Sequence, residues 1–164
     1  MPNPIPYKIS TLVYIRDEQG RILQLLRNKR PNLGQWSSIG GKLEMAIGES
    51  PFETAIREVK EEVNFDVTER DLHLFCVVAE KGYEDSCHWL MFLFDCKKRM
   101  TALPPPMEEG TFAFHAPETI LSLNIPETDR LYLWPIWFNQ REGFTSIRID
   151  CRKSPPEGVI EEQR

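Results

Sequence analysis

Three glutamates and one arginine lie within the six residues from Arg57 to Glu62. On a helix, where successive residues are rotated by about 100°, Glu58, Glu61 and Glu62 fall within one arc of roughly 100°. Carboxylates this close repel one another, and Arg57, four residues before Glu61, offsets the repulsion only in part. Mg²⁺ binds such hard oxygen ligands, with water and substrate phosphate oxygens completing its coordination. The run therefore indicates either a metal-binding helix face or a charged face exposed to solvent.

The segment around this run carries strong helix signals. Ser50-Pro51-Phe52-Glu53 has a capping-box pattern, with serine at the N-cap, proline at the first helical position and glutamate three residues after the serine. The pattern predicts a helix from Pro51 to about Val63, and Asn64 is a suitable residue for a left-handed helix end. The apolar residues at helical spacing, which predict the buried face, are Phe52, Ala55, Ile56, Val59 and Val63.

Glycines and a further glutamate precede this helix. Gly40 and Gly41 permit close backbone approach, or a carbonyl turned toward a metal ion. The stretch from Gly40 to Phe65, GGKLEMAIGESPFETAIREVKEEVNF, resembles the Nudix box, whose pattern is G-x5-E-x7-R-E-U-x-E-E-x-G-U with U a bulky aliphatic residue. From Glu49 onward the spacing of this chain agrees with that pattern.

The stretch departs from the family pattern at two places. Seven residues separate Gly41 from Glu49, where the family has five. We place the insertion within 45–48, in the loop before the helix cap, where extra length is tolerated. Asn64 stands where the family has glycine, and asparagine is the next-best residue for a left-handed helix end.

The resemblance implies a metal site on the predicted helix. Glu58 and Glu62 would be the principal ligands of Mg²⁺, for which Mn²⁺ could substitute. Glu61 would be a further ligand or a base, and the Gly40 carbonyl would supply another oxygen. Metal-assisted hydrolysis of a diphosphate then follows, because metal ions neutralise phosphate oxygens and lower the pKa of a bound water.

The resemblance also implies supporting roles for neighbouring residues. Glu49 would fix the loop or the metal-bound water, Arg57 would orient the carboxylates, and Lys42 would steady a phosphate. In part of the family a glutamate from a later loop takes part in catalysis. Glu108 and Glu109 lie in about that position, and the alternative for them is two solvated loop acids.

The substrate is predicted from a weaker resemblance. The box is similar to that of mutator-type 8-oxo-dGTP pyrophosphohydrolases, and the stretch 126–135, PETDRLYLWP, resembles the base-recognising segment of their animal counterparts. Asp129 would hydrogen-bond a purine edge, and Trp134 or Tyr132 would stack on the base. Packing in the core of an amphipathic helix is the alternative for Trp134. Ser37 lies near the position of a base-binding amide residue, and its hydroxyl offers fewer hydrogen bonds.

Strand and helix signals follow one another along the chain, and no linker or repeat interrupts them. They predict an α/β (α+β) fold, and the resemblance implies the Nudix-type α/β/α sandwich around a mixed central β-sheet. We expect a single domain over residues 1–153, a flexible tail over 154–164, and a hairpin turn at 17–20. The predicted strands are 8–15, 21–27, 72–79, 88–96, 111–115 and 145–150, and the further helices are 117–123 and 127–138.

Composition limits the classes of partner. The net charge of −5 disfavours long nucleic acid, including capped RNA, but not a small phosphorylated substrate whose charge a metal ion neutralises. Residues 1–6 show no signal-peptide pattern, and the longest apolar run is too short to span a membrane. The four cysteines form no CxxC pair, which indicates reduced thiols. We expect a cytoplasmic protein, either a monomer or a homodimer.

Three functional hypotheses remain open from the sequence. The first is a pyrophosphohydrolase of nucleoside di- or triphosphates that removes damaged nucleotides. The second is a nucleotide-sugar or dinucleotide pyrophosphatase, which ranks lower because little sequence precedes the first predicted strand. The third is a nucleotide-binding module without turnover, which ranks lowest because the box carboxylates are all present.

Overall fold

Nine strands and two α-helices form the part of the chain that the structure, a computed structural model, describes (residues 4–164). The strands are β1 (Tyr7–Tyr14), β2 (Ile22–Arg27), β3 (Trp36–Ser37), β4 (Ile39–Lys42), β5 (Leu72–Tyr83), β6 (Cys87–Cys96), β7 (Gly110–His115), β8 (Thr145–Asp150) and β9 (Glu157–Gln163). The helices are α1 (Pro51–Val63) and α2 (Trp134–Gln140). Residues 1–3 of the N-terminal run considered for a signal peptide lie outside the described residues. Between 4 and 164, no helix is long and apolar enough to cross a membrane.

The central sheet is mixed and has six strands in the order β4-β1-β6-β5-β8-β9. β1 runs parallel to β6, and β5 runs parallel to β8, whereas β5 and β6 are antiparallel. A smaller antiparallel sheet has the order β3-β2-β7. The predicted α/β fold with a mixed central sheet is confirmed.

Both faces of the central sheet are covered, because neighbouring residues along a strand point to opposite sides. Val13 of β1 and Phe94 of β6 face α1, while Tyr14 and Leu93, one residue away in each strand, face α2. Helix α1 contributes Ala55, Val59 and Val63 to the first core, and α2 contributes Trp134, Ile136 and Trp137 to the second. This layering is the expected α/β/α sandwich.

Helix α1 begins and ends where the sequence predicts. The Ser50 hydroxyl accepts a hydrogen bond from the Glu53 backbone N–H at 3.2 Å, which caps the first turn. Asn64 adopts a left-handed conformation with φ of 50°, and its N–H donates to the Lys60 carbonyl at 3.0 Å. With both ends fixed, α1 directs Glu58 and Glu62 toward the glycines of β4.

The hairpin turn predicted at 17–20 is present, with the Gly20 N–H donating to the Asp17 carbonyl at 3.0 Å and the Asp17 N–H donating to the Arg21 carbonyl at 2.9 Å, but the strands beside it pair only briefly. β1 and β2 share one bridge, Arg16 to Ile22, and then enter different sheets. The Asp17 carboxylate accepts hydrogen bonds from the Gln19 and Arg21 backbone N–H groups at 3.0 and 2.8 Å and stabilises the turn. After the turn, β2 continues into the smaller sheet.

The segment 154–164, expected to be a flexible tail, contains strand β9. It pairs antiparallel with β8 along the edge of the central sheet. Backbone pairing with β8 explains this strand, because most of its side chains are exposed and show no buried pattern. Tyr132 also anchors it, since its hydroxyl accepts a hydrogen bond from Gly158 N–H at 2.9 Å and donates to the Pro156 carbonyl at 3.0 Å.

The two later helices lie where the sequence predicts but differ in their winding. Pro117–Ser122 is a 3-10 helix. The predicted helix 127–138 is a continuous helical stretch over 127–140, in which a π-helical turn, Asp129–Leu133, precedes α2. A π-helical turn carries one more residue than an α-helical turn, so it changes which side chains face the sheet.

Asn64 gives a direct test of the α1 C-terminus. Asn64→Ala should lower the free energy of unfolding by about 1 kcal/mol, because a Cβ without a local hydrogen-bonding group disfavours the left-handed conformation. Asn64→Gly should leave stability equal or slightly higher. Urea unfolding followed by circular dichroism measures both, and equal losses in the two variants would contradict the assignment.

Candidate active site

A cavity of about 460 Å³ opens between α1, the strands β1, β4, β5 and β6, and the loop after β2. Arg57, Glu58 and Glu62 line it from α1, and Gly40 and Gly41 line it from β4. Glu58 and Glu62, predicted for metal binding, therefore lie around the same space as Ser37 and Asp129, predicted for base recognition.

Arg57 is the centre of the hydrogen-bond network beside this cavity. Its Nε and Nη2 donate to the two carboxylate oxygens of Glu49 at 2.7 and 2.8 Å. Its Nη1 donates to Glu58 at 3.0 Å and to Glu61 at 3.2 Å, and its Nη2 also reaches the Lys42 carbonyl at 3.2 Å. One guanidinium thus joins the loop before α1 to two of the box glutamates, in a bidentate geometry that only arginine provides.

Glu49 is held as a buried carboxylate. Besides Arg57, its oxygens accept hydrogen bonds from the Thr54 hydroxyl at 2.6 Å and from the Glu44 backbone N–H at 3.0 Å. These donors, led by Arg57, lower the pKa of Glu49 to about 2. Glu49 does not line the cavity, so its geometry fits a residue that fixes the loop rather than one that meets substrate.

The two-residue insertion before Glu49 is accommodated on the surface. Met45–Ile47 form a 3-10 turn, and Gly48 closes it in a left-handed conformation with φ of 64°. The Met45 and Ile47 side chains project into solvent, and the Glu49 N–H still donates to the Glu44 carbonyl at 3.2 Å. The insertion therefore leaves the contact between Glu49 and Arg57 intact.

Glu58 and Glu62 lie together against the glycines of β4. Glu62 accepts a hydrogen bond from the Gly40 N–H at 3.3 Å. A Cβ at Gly41 would overlap the Glu58 carboxylate in its present position, so any larger residue there would displace that side chain. Burial, with the nearby Glu58 as the second cause, raises the pKa of Glu62 to about 8, and burial also raises the pKa of Glu58. Burial and the repulsion between Glu58 and Glu62 thus both disfavour ionisation of the two carboxyl groups at the same time.

This pair fits a divalent cation. Its donors are hard carboxylate oxygens, and the mutual repulsion would be relieved by a positive ion between them. Within residues 4–164, no three histidine, cysteine or acidic side chains converge as a complete metal cage. The chain accordingly fits an ion that is held by two carboxylates and completed by backbone, water or phosphate oxygens, the usual arrangement for Mg²⁺.

Two of the predicted acidic residues do not face the cavity. The Glu61 side chain is 59% exposed and contacts Arg57, and Glu108 is exposed at the turn before β7. Glu109 does line the cavity, where it forms salt bridges with Lys29 at 3.1 Å and with Arg27 at 3.7 Å. Of the two later glutamates, Glu109 is therefore the one placed near Glu62.

The residues predicted to bind substrate also divide into those that line the cavity and those that do not. Lys42, Ser37 and Asp129 all line the cavity. Trp134 does not, because its side chain is 1% exposed and packs edge-to-face against Tyr14 at 4.8 Å between ring centroids. The prediction that Trp134 stacks on a base is thus corrected to the alternative of core packing. Tyr132, which anchors β9, is also absent from the lining.

Sequence reasoning missed part of the cavity wall. Glu80 of β5 and Trp89 and Met91 of β6 line it, as do the basic side chains of Arg27 and Lys29. Glu80 had little signal, because it follows directly after the strand predicted at 72–79 and an acidic residue there is usually exposed. Trp89 and Met91 had none, because apolar residues in a strand look the same whether they face a core or a cavity.

A carboxylate-bearing helix faces a cavity at the edge of an α/β/α sandwich. This fold and site are typical of hydrolases that act on acid anhydrides. The NUDIX domain family matches residues 6–134 of the chain, and the chain belongs to that family. The family is one of hydrolases that generally use divalent metal ions.

Solved structures of similar fold bear MutT names. A MutT protein from Methanosarcina mazei Go1 superposes with a TM-score of 0.69 and 25% identity, over 85% of this chain and 100% of that one. A MutT protein from Bacillus halodurans gives a TM-score of 0.70 and 20% identity, over 96% of each chain. At these identities the likeness supports the fold rather than a shared substrate.

A curated relative has a different name. The dihydroneopterin triphosphate diphosphatase of Escherichia coli K12 is 39% identical over 69 residues, which cover 42% of this chain and 43% of that protein. The match thus spans less than half of either protein, and the relative's substrate is not carried over by it.

The Glu49 to Arg57 pair predicts how stability depends on pH. The pKa of Glu49 is depressed to about 2 in the folded protein, from about 4.5. The pair therefore stabilises the fold above pH 4.5, and the contribution is lost as the pH falls toward 2.

Glu49→Gln should accordingly lower the free energy of unfolding by on the order of 2 kcal/mol at pH 7. The gap between wild type and variant should narrow steadily as the pH is lowered from 5 to 2.5. Urea unfolding at each pH measures it, with Glu53→Gln, an exposed glutamate on the same helix, as the control. A gap that stays constant over this range would show that Glu49 is not held as a carboxylate.

Proposed function

We propose that this protein hydrolyses a diphosphate linkage in a nucleoside triphosphate or a closely related compound, with Mg²⁺ as its metal ion and Mn²⁺ as a substitute. The observation that carries the proposal is the meeting of Glu58 and Glu62 at Gly40 and Gly41, on the wall of a cavity large enough for a nucleotide.

The charge distribution of the cavity supports a polyphosphate substrate. Lys42, Lys29 and Arg27 line the same space as the glutamate pair. A bound divalent ion would neutralise phosphate oxygens and lower the pKa of an attacking water. The basic side chains would hold the remaining phosphate charge, while Glu58 and Glu62 provide the oxygen ligands. The acidic net charge of the chain is compatible with this, because Lys42, Lys29 and Arg27 provide positive charge within the cavity itself.

Glu109 is proposed to change partners during the reaction. Without substrate it is paired with Lys29 and Arg27. A polyphosphate competes for these two cations, and its arrival would free the Glu109 carboxylate to accept a proton from water or to ligate the metal ion. This assigns the later catalytic glutamate to Glu109 rather than to Glu108.

The name of the curated relative supports a triphosphate as the substrate. The curated relative is named for a diphosphatase reaction on dihydroneopterin triphosphate. That compound and a nucleoside triphosphate both join a planar heterocycle to a triphosphate, and the cavity offers a polar acidic region at Glu80 and Asp129 as well as the box glutamates. A triphosphate with a heterocyclic group is therefore the substrate class we favour.

The proposal is tested by glutamine substitutions on α1. Glu62→Gln and Glu58→Gln should each lower kcat at least about 100-fold for any accepted triphosphate, because each removes a charged oxygen ligand. The assay is release of pyrophosphate or phosphate from a panel of triphosphates at saturating Mg²⁺.

Glu53→Gln, on the same helix but exposed, is the matched control and should keep wild-type kcat. Failure of the wild type to hydrolyse any triphosphate in the panel would overturn the proposed function. An unchanged kcat in Glu62→Gln would overturn the assignment of the site.

A further inference from the structure

The loop between β2 and β3, residues 28–35, forms one wall of the cavity. The residues that line the cavity from this loop are Lys29, Arg30, Pro31 and Asn32. The Gly34 N–H donates a hydrogen bond to the Arg27 carbonyl at 2.8 Å, so the two ends of the loop meet. Inside the loop, the Arg27 Nε donates to the Pro31 carbonyl at 2.6 Å. The loop therefore presents its side chains to the cavity from a hydrogen-bonded turn.

Arg30 differs from the two neighbouring cations in having no acidic partner. The Glu109 carboxylate holds Lys29 at 3.1 Å and Arg27 at 3.7 Å. Among the described residues, no acidic side chain lies within salt-bridge distance of Arg30, and its side chain is exposed at the cavity wall. A guanidinium in this state can donate to two phosphate oxygens at once, because no existing ion pair has to break first.

The tip of the loop is held by the turn between β5 and β6. The Tyr83 hydroxyl donates a hydrogen bond to the Asn32 side-chain oxygen. The Asn32 N–H donates to a Glu84 carboxylate oxygen at 3.2 Å. Burial, and then the nearby Glu80, raise the pKa of Tyr83, so its hydroxyl stays protonated and remains a donor at neutral pH. We call these three residues, Asn32, Tyr83 and Glu84, the latch.

The latch is anchored in the central sheet. Tyr83 pairs with Cys87 at the end of the ladder between β5 and β6. The Gly82 N–H, one residue earlier, donates to the His88 Nδ1 at 3.0 Å and fixes the same end of the hairpin. Arg30 lies only two residues from Asn32, so a displaced loop tip would displace Arg30 as well. The sheet thus sets the position of Arg30 through the latch.

We propose that Tyr83 is a positioning residue that holds the loop 28–35 against the cavity, so that Arg30 binds the polyphosphate of the substrate. The proposal rests on the proposed function, since it assigns a further contact to the same triphosphate. Arg30 donates to phosphate oxygens directly, whereas Tyr83 acts through Asn32. A loop that is already fixed loses less conformational freedom when the substrate arrives, so the latch strengthens binding.

Arg30→Gln tests the phosphate contact. KM for any accepted triphosphate should rise about tenfold, as expected for a lost hydrogen bond to a charged group. The value of kcat should stay near that of the wild type, because the contact is made equally to the bound substrate and to the transition state. Arg70→Gln, which changes an exposed arginine outside the cavity, is the matched control and should keep the wild-type KM.

Tyr83→Phe tests the latch, because it removes the hydroxyl and keeps the ring. KM should rise about threefold with kcat unchanged, as expected for the loss of one neutral hydrogen bond that holds the loop. In the double variant Tyr83→Phe/Arg30→Gln, KM should be close to that of Arg30→Gln alone, since the latch acts through Arg30. Tyr7→Phe, which changes an exposed tyrosine outside the cavity, is the control, and a thermal melt verifies that each variant folds.

The outcomes separate this inference from the proposed function. Hydrolysis with an unchanged KM in Arg30→Gln would leave the proposed function intact and overturn the inference. A double variant in which the two single effects on KM multiply would overturn the positioning role of Tyr83. If the wild type hydrolyses no triphosphate, the proposed function fails. Calorimetric binding of inorganic tripolyphosphate with Mg²⁺ then decides the inference, which requires weaker binding in Arg30→Gln and in Tyr83→Phe than in the wild type.

Discussion

The hydrogen bonds of Arg57 are the interaction on which the candidate site depends. The guanidinium binds both oxygens of Glu49 and also contacts Glu58 and Glu61. Because Glu49 lies in the loop and the other two lie on α1, the arginine fixes the loop to the helix. It also supplies the positive charge that keeps a group of carboxylates in one place before a metal ion arrives. Without it, repulsion among the glutamates would favour separated rotamers.

The cavity joins two acidic regions that differ in their electrostatics. At the α1 end, Glu58 and Glu62 meet close to Arg57 and opposite basic side chains, which suits a cation and a polyphosphate. At the β5 end, Glu80 and Asp129 have no cationic partner, and burial favours their neutral forms. Burial raises the pKa of carboxyl groups in both regions, so the nearby cations are what distinguish the α1 end from the β5 end.

The sequence predicted helix α1 closely because its ends are specified locally. Ser50, Pro51 and Asn64 act within one turn of each helix end, so their effect is independent of the rest of the fold. The positions of Glu58 and Glu62 on one face followed from helical spacing alone. The segment 45–48, where we place the insertion, lies on the surface, since a loop anchored at Glu44 and Glu49 can lengthen toward solvent.

Other features depend on distant contacts, and no local pattern in the sequence indicates them. Strand β9 is mostly exposed, and pairing with β8 and the Tyr132 hydroxyl hold it in place. For Trp134 the sequence left two alternatives, stacking on a base and packing in the core. The extra residue in the π-helical turn rotates the side chains that follow it, and Trp134 faces the core. Glu80 and Trp89 become neighbours only because β5 and β6 pair in this particular register. The turn between the two strands sets that register, and its effect is not visible in either strand alone.

The most direct test of the central claim is a titration of the protein with Mn²⁺ in the absence of substrate, followed by electron paramagnetic resonance or calorimetry. The account predicts one saturable site in the wild type, a large loss of affinity in Glu62→Gln, and a smaller loss in Arg57→Ala, which keeps the ligands but not their arrangement. Mn²⁺ binding of equal affinity in the wild type and Glu62→Gln would contradict a metal site at the meeting of α1 and β4.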